Sequence, residues 1–100
     1  MESMEHKLAK QFAAMMLQGR TECHFRPGHR PDACSEDLSE FAEVECKKTK
    51  QGRECIIGIY PSTCKKENDK VLCKPIKYTR LLFDKNMQAA SKLDTILHQS

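Results

Sequence analysis

The chain contains no tryptophan and only six aromatic residues in 100, and 39% of it is hydrophobic with a mean hydropathy of −0.65. A composition this polar bounds the core to a small one with little stability to spare. Nothing in it approaches the ~20 consecutive apolar residues of a membrane-spanning helix. Residues 1–20 are amphipathic and do not read as a secretory leader, so a secreted chain would be read here in its mature form. No low-complexity segment, phosphate loop, Ser/His/Asp spacing or carboxylate pair occurs, and the expectation is a protein without catalytic activity. His6, His98 and the run Cys73-Lys74-Pro75-Ile76 fall short of the pancreatic-type ribonuclease pattern. That family continues with Asn-Thr-Phe where this chain has Lys77-Tyr78-Thr79.

What the chain does have is cysteine and an uneven spread of charge. The net charge of +3 divides by region. Residues 1–43 carry five Lys/Arg against eight Asp/Glu, and residues 44–80 carry ten against four. The basic half coincides with four cysteines set nine residues apart, Cys46, Cys55, Cys64 and Cys73. Cys46-Lys47-Lys48 and Cys64-Lys65-Lys66 open two near-copies of one segment. Each segment has polar turn residues in its middle and a cysteine at its far end, the pattern of a β-hairpin.

Register follows by arithmetic, because opposed residues in a two-residue hairpin have a constant number sum. A turn at Asn68-Asp69, residues that tolerate the left-handed backbone, sets Lys66 against Val71 and Cys64 against Cys73. A turn at Lys50-Gln51 sets Lys48 against Arg53 and Cys46 against Cys55, with Gly52 allowing a bulge instead. Directly opposed Cβ atoms lie about 4.5–5.5 Å apart, near disulfide geometry. Six cysteines allow three bridges, each worth a few kcal/mol in a domain of this size.

Along the chain, residues 3–18 predict a helix. Ser3 is its cap, Met4, Leu8, Phe12, Met15 and Met16 form its apolar side, and Gly19 suits its left-handed stop. Residues 20–33, with two prolines and a glycine, predict a loop. Ser35 with Glu36 and Asp37 predicts a short helix ending near Phe41. Val44 and Cys46 alternate with charged residues as a strand does, and Ile56, Ile57, Ile59 and Tyr60 read as a central strand buried on both faces. Asp84 is a good cap for a C-terminal helix over 84–98, with Met87, Ala90, Leu93, Ile96 and Leu97 on one side. The expected fold is therefore α+β and a single domain, 1–100. It consists of a small disulfide-rich antiparallel sheet of three to four strands within 42–78, packed against terminal helices 3–18 and 84–98.

Two constellations could carry binding. The first is the basic hairpins, Lys47, Lys48, Arg53, Lys65, Lys66 and Lys70, a candidate surface for a sulfated glycan or an acidic protein. The bland reading of the same lysines is guarding of strand edges. Moderate basicity, with only Tyr60 and Tyr78 placed to stack bases, argues against nucleic acid. The second is Cys23-His24-Phe25-Arg26-Pro27-Gly28-His29-Arg30-Pro31-Asp32-Ala33-Cys34. Cys23, His24, His29 and Cys34 form a donor set for zinc, but the spacing does not match paired ligand clusters. A Cys23–Cys34 bridge is the simpler account, and the loop's arginines and histidines would then extend an anion site.

Val44-Glu45-Cys46, then Cys55 and Cys64 at equal intervals with Pro61 three before Cys64, resembles part of the fibroblast growth factor-binding proteins. The likeness covers about a third of the chain, and the tryptophan that family carries after its third cysteine is absent here. It implies a secreted protein that binds heparan sulfate and growth factors. It also implies a bridge from Cys46 to an upstream cysteine.

The reading that follows is a small secreted, non-catalytic module without a cofactor. Its cysteine-linked hairpins would meet an anionic extracellular partner, namely a sulfated glycan, a growth factor or a receptor surface. The alternative is a cytoplasmic or virulence-type protein-interaction module with reduced or zinc-bound cysteines.

Overall fold

A computed structural model describes residues 2–86 and 88–94. It contains one helix, α1 (Met4–Met16), and eight strands: β1 (Gly19–Arg20), β2 (Ala33–Ser35), β3 (Glu40–Lys48), β4 (Gly52–Pro61), β5 (Lys66–Glu67), β6 (Lys70–Val71), β7 (Lys77–Asp84) and β8 (Ala89–Asp94). Six of the strands form an antiparallel sheet in the order β1-β2-β3-β4-β7-β8, and β5 with β6 forms a separate two-stranded ribbon. The apolar run of β4 is a central strand, as expected, but it is not fully buried on both faces: Ile57 and Ile59 are buried, while Ile56 and Tyr60 on the other face are half-buried.

Both predicted hairpin registers hold. Cys46 faces Cys55 and Lys48 faces Arg53 across β3 and β4. The chain reverses at Lys50-Gln51, with the Thr49 amide donating to the Gly52 carbonyl at 3.0 Å. Lys66 faces Val71 across the ribbon, and Asn68 and Asp69 both take positive φ, 50° and 64°. The ribbon does not complete the main sheet, however. Pro61 ends β4 and Pro75 precedes β7, so the intervening segment stands apart and is closed by its own bridge.

Strand alternation sorts the sheet into two faces. Ala42, Val44, Cys55, Ile57, Ile59, Leu81 and Phe83 form one, and α1 packs on it. Full burial of a side chain such as Ile57 or Ile59 contributes about 1.5–3 kcal/mol. Ser3 caps α1, its hydroxyl accepting from the His6 amide at 3.1 Å. The helix nevertheless lies on a different side from the one expected. Its buried residues are Ala9 and Ala13, with Leu17 buried at its C-cap, while Met4 and Met15 are exposed. Small alanines let the helix axis approach the sheet closely, and the longer side chains flank the contact. Gln18 takes the left-handed position (φ 51°) expected of Gly19. Gly19 instead begins β1, where a Cβ would overlap the Cys34 carbonyl.

A second, smaller core lies on the opposite face. It gathers Cys23, Cys34, Phe41 and Cys64, with Phe25, Tyr60 and Val71 against them. The loop after β1 and the β5–β6 ribbon cover this end of the sheet.

Two predicted helices are replaced. At Ser35–Ser39 the Asp37 carboxylate accepts from the Ser35 hydroxyl, the Ser39 hydroxyl and the Ser39 amide. These local bonds hold a turn between β2 and β3 with Leu38 at φ 60°, competing with the helix the same residues could start. The hydroxyl and amide donors around it also hold Asp37 below the usual carboxylate range. The helix over 84–98 is likewise absent as far as residue 94, where β7 and β8 form a hairpin. Asp84 does accept from backbone amides, those of Asn86 and Gln88 at 2.9 Å, but there it closes the hairpin turn. Met87 and residues 95–98 of that expectation lie outside the described residues.

Candidate functional site

All six cysteines are paired, as Cys23–Cys34, Cys46–Cys55 and Cys64–Cys73. The Cα separations are 6.2, 4.0 and 5.7 Å. The reduced and zinc-bound alternatives are thereby corrected, because Cys23 and Cys34 bind each other and are lost as metal ligands. Cys46 bridges within its own hairpin, not to an upstream cysteine. Three bridges fit an oxidising, extracellular environment. Among the described residues no helix is long and apolar enough to cross a membrane.

The six candidate cations do not form one patch. Lys47, Lys48 and Arg53 stand at the free end of the β3–β4 hairpin, and Lys65, Lys66 and Lys70 lie on or beside the ribbon. The ribbon meets the sheet through Lys66 and Glu43, and Glu43 faces Gly58 in β4. Five residue steps along the strand separate Gly58 from Arg53, about 17 Å.

The two faces also divide the set. Lys48 and Arg53 share the face of α1, and Lys47 is on the other. Three of the six are engaged by carboxylates: Lys47 with Glu54 at 3.5 Å, Arg53 with Glu5 at 3.7 Å, and Lys66 with Glu43 at 2.9 Å. Lys48, Lys65 and Lys70 are exposed and make no ion pair among the described residues.

Beside the ribbon the open face of the sheet forms a groove of about 730 Å³. Ile56, Gly58, Tyr60 and Tyr78 lie on its floor side, and Lys66, Lys70 and Val71 of the ribbon form one wall. Tyr60 stacks on Phe41 with centroids 5.4 Å apart and an interplanar angle of 22°. Burial, and the nearby charges of Glu43 and Glu45, push the Tyr60 phenol above its ordinary value. Four cations and four carboxylates border the groove (Arg30, Lys66, Lys70 and Arg80 against Asp32, Glu43, Glu45 and Asp69), so it carries no excess of either sign. Lys48, at the β3–β4 turn, and Lys65, beside Cys64, lie outside it.

A polar cluster that sequence reasoning missed joins the 20–33 loop to the sheet and ribbon. His29 is 4% exposed. Arg26 Nε donates to its Nδ1 at 3.3 Å, which fixes the proton of the neutral ring on Nε2, facing Glu43 Oε2 at 3.3 Å. The second Arg26 nitrogen, Nη2, donates to the Ser62 and Cys64 carbonyls at 2.9 and 2.7 Å. Phe41 meets the His29 ring edge to face at 4.7 Å. Burial lowers the His29 pKa below the ordinary imidazole value of 6.5, with Glu43 opposing the shift. His24, the other histidine of the proposed zinc set, is exposed. Beside this cluster, Asp32 accepts from the Val44 amide at 2.8 Å, and burial raises its carboxyl above the usual range.

Comparison with known proteins finds no matching family model, no matching curated protein and no matching solved structure.

Proposed function

We propose that the chain is a small secreted, non-catalytic binding module that presents cysteine-linked basic hairpins to an anionic partner. The partner would be a sulfated glycan, or the acidic surface of a growth factor or receptor. The observation that carries the reading is the exposure of Lys48, Lys65 and Lys70 without carboxylate partners among the described residues, on segments each closed by its own disulfide. A charge displayed on a fixed ribbon loses less conformational freedom on binding than one on a flexible chain. The partial likeness to fibroblast growth factor-binding proteins agrees with this class of ligand.

The carboxylate-engaged cations contribute less, because a partner must compete with Glu54, Glu5 and Glu43 for them. The test is retention on immobilised heparin with a salt gradient. Replacing Lys48, Lys65 and Lys70 together by alanine lowers the eluting salt. Elution of the native chain at low salt, unchanged by that triple substitution, contradicts the reading.

A further inference from the structure

The 20–33 loop contains four basic residues in seven, His24, Arg26, His29 and Arg30, yet two of them are held inward. Arg26 is committed to two carbonyls, to His29 and to the face of the Phe25 ring at 5.0 Å. His29 is enclosed by Phe25, Phe41 and Glu43. We propose that His29 is a proton-operated latch, whose protonation releases the segment 24–32 from the sheet and adds Arg26 and His29 to the cationic surface.

The geometry supplies the reason. The docked state requires a bare Nδ1 to accept from Arg26. A proton on Nδ1 removes that bond and turns two donors toward each other. The charged groups facing the ring are Arg26 of its own loop, Glu43 of β3 and Lys66 of β5. A protonated ring therefore meets two cations and one carboxylate, and that carboxylate is already bound by Lys66 at 2.9 Å. Burial among aromatic rings adds a desolvation cost to the charged form. The segment can leave without global unfolding, because the Cys23–Cys34 bridge closes it at both ends and the main sheet does not run through it. Its hydrogen bonds to the rest of the molecule are few: the Asp32 amide to the Ala42 carbonyl, the Val44 amide to the Asp32 carboxylate, Arg26 to the Ser62 and Cys64 carbonyls, and His29 to Glu43.

The latch stands on the loop geometry, while its effect on affinity rests on the proposed anion binding; two readouts separate them. The first is amide exchange at Asp32, whose amide bonds to the Ala42 carbonyl of β3, corrected for the intrinsic pH dependence of exchange, together with the His29 ring titration by NMR. Between pH 7 and pH 5 the wild-type protection of this amide falls on the order of tenfold, following proton linkage. His29→Gln, which can still bond Arg26 and Glu43 but does not titrate, shows no such fall. Unchanged wild-type protection, or a ring that titrates at an ordinary value with the loop still docked, overturns the latch even if the variant fails to fold. The second readout is heparin retention, which strengthens on acidification in the wild type more than in His29→Gln. A latch that opens without that difference overturns the added anion site and leaves the latch standing.

Discussion

Tyr60 lies across Gly58 on the open face of the sheet, so that a Cβ placed on Gly58 would sit 2.9 Å from the Tyr60 hydroxyl oxygen and 3.0 Å from its ring. The ring is held there by its stack on Phe41, so it cannot yield freely. Gly58→Ala is expected to displace Tyr60, weaken the smaller core and cost about 1–3 kcal/mol, the usual range for overpacking. Chemical denaturation measures the loss. With no tryptophan and two tyrosines, both lining the groove, tyrosine emission reports the displacement directly.

The three bridges are not equivalent. Cys46–Cys55 spans two strands that are hydrogen-bonded along their length, so replacing both by alanine keeps the hairpin and costs about 2–3 kcal/mol of global stability by loop entropy. Cys64–Cys73 closes a ribbon with only two residues in each strand. Its replacement frees the ribbon locally, with a smaller effect on the denaturation midpoint. Amide exchange at Leu72, which donates to the Lys65 carbonyl at 2.9 Å, distinguishes the two outcomes by loss of protection.

Asp32 and His29 impose opposite pH dependences. Burial raises the Asp32 carboxyl, so its contribution is stabilising below the unfolded value of 3.8 and is lost as pH rises through the folded value. At pH 7 its charge is therefore a cost. Asp32→Asn keeps an oxygen for the Val44 amide and should leave stability unchanged or higher at pH 7. Asp32→Ala leaves that amide unpaired and should cost about 1–3 kcal/mol. His29 is depressed, so its contribution is full above 6.5 and is lost as pH falls through the folded value. Denaturation midpoints from pH 4 to 8 check both signs. Equal losses in the Asn and Ala variants contradict the account of Asp32.

The hairpin registers were legible because number sums fix opposition once a turn is placed, and Asn68-Asp69 and Lys50-Gln51 place the turns. Ser3 was legible as a cap for a local reason: its partner lies three residues away. Asp84 was misread because the same carboxylate chemistry can cap a helix or close a hairpin turn. The alternation of Thr79, Leu81 and Phe83, all buried, with Tyr78, Arg80 and Leu82 was the signal that favoured a strand there. The helix face was misread because large apolar residues outweighed Ala9 and Ala13, although alanines allow the closer approach. Lys47 with Glu54 follows from the hairpin register, but the engagement of Arg53 and Lys66 by carboxylates, and the docking of His29, depend on contacts between distant segments, such as His29 with Glu43. No local pattern encodes them.

The cationic surface is predicted to depend on the shape the bridges impose as well as on composition. Reducing the chain and capping all six thiols with neutral carboxamidomethyl groups preserves the number of lysines and arginines while opening every bridge. On immobilised heparin, the capped chain should elute at clearly lower salt than the native one. Elution of both forms at the same salt would show that charge content alone sets the affinity, and would contradict the account.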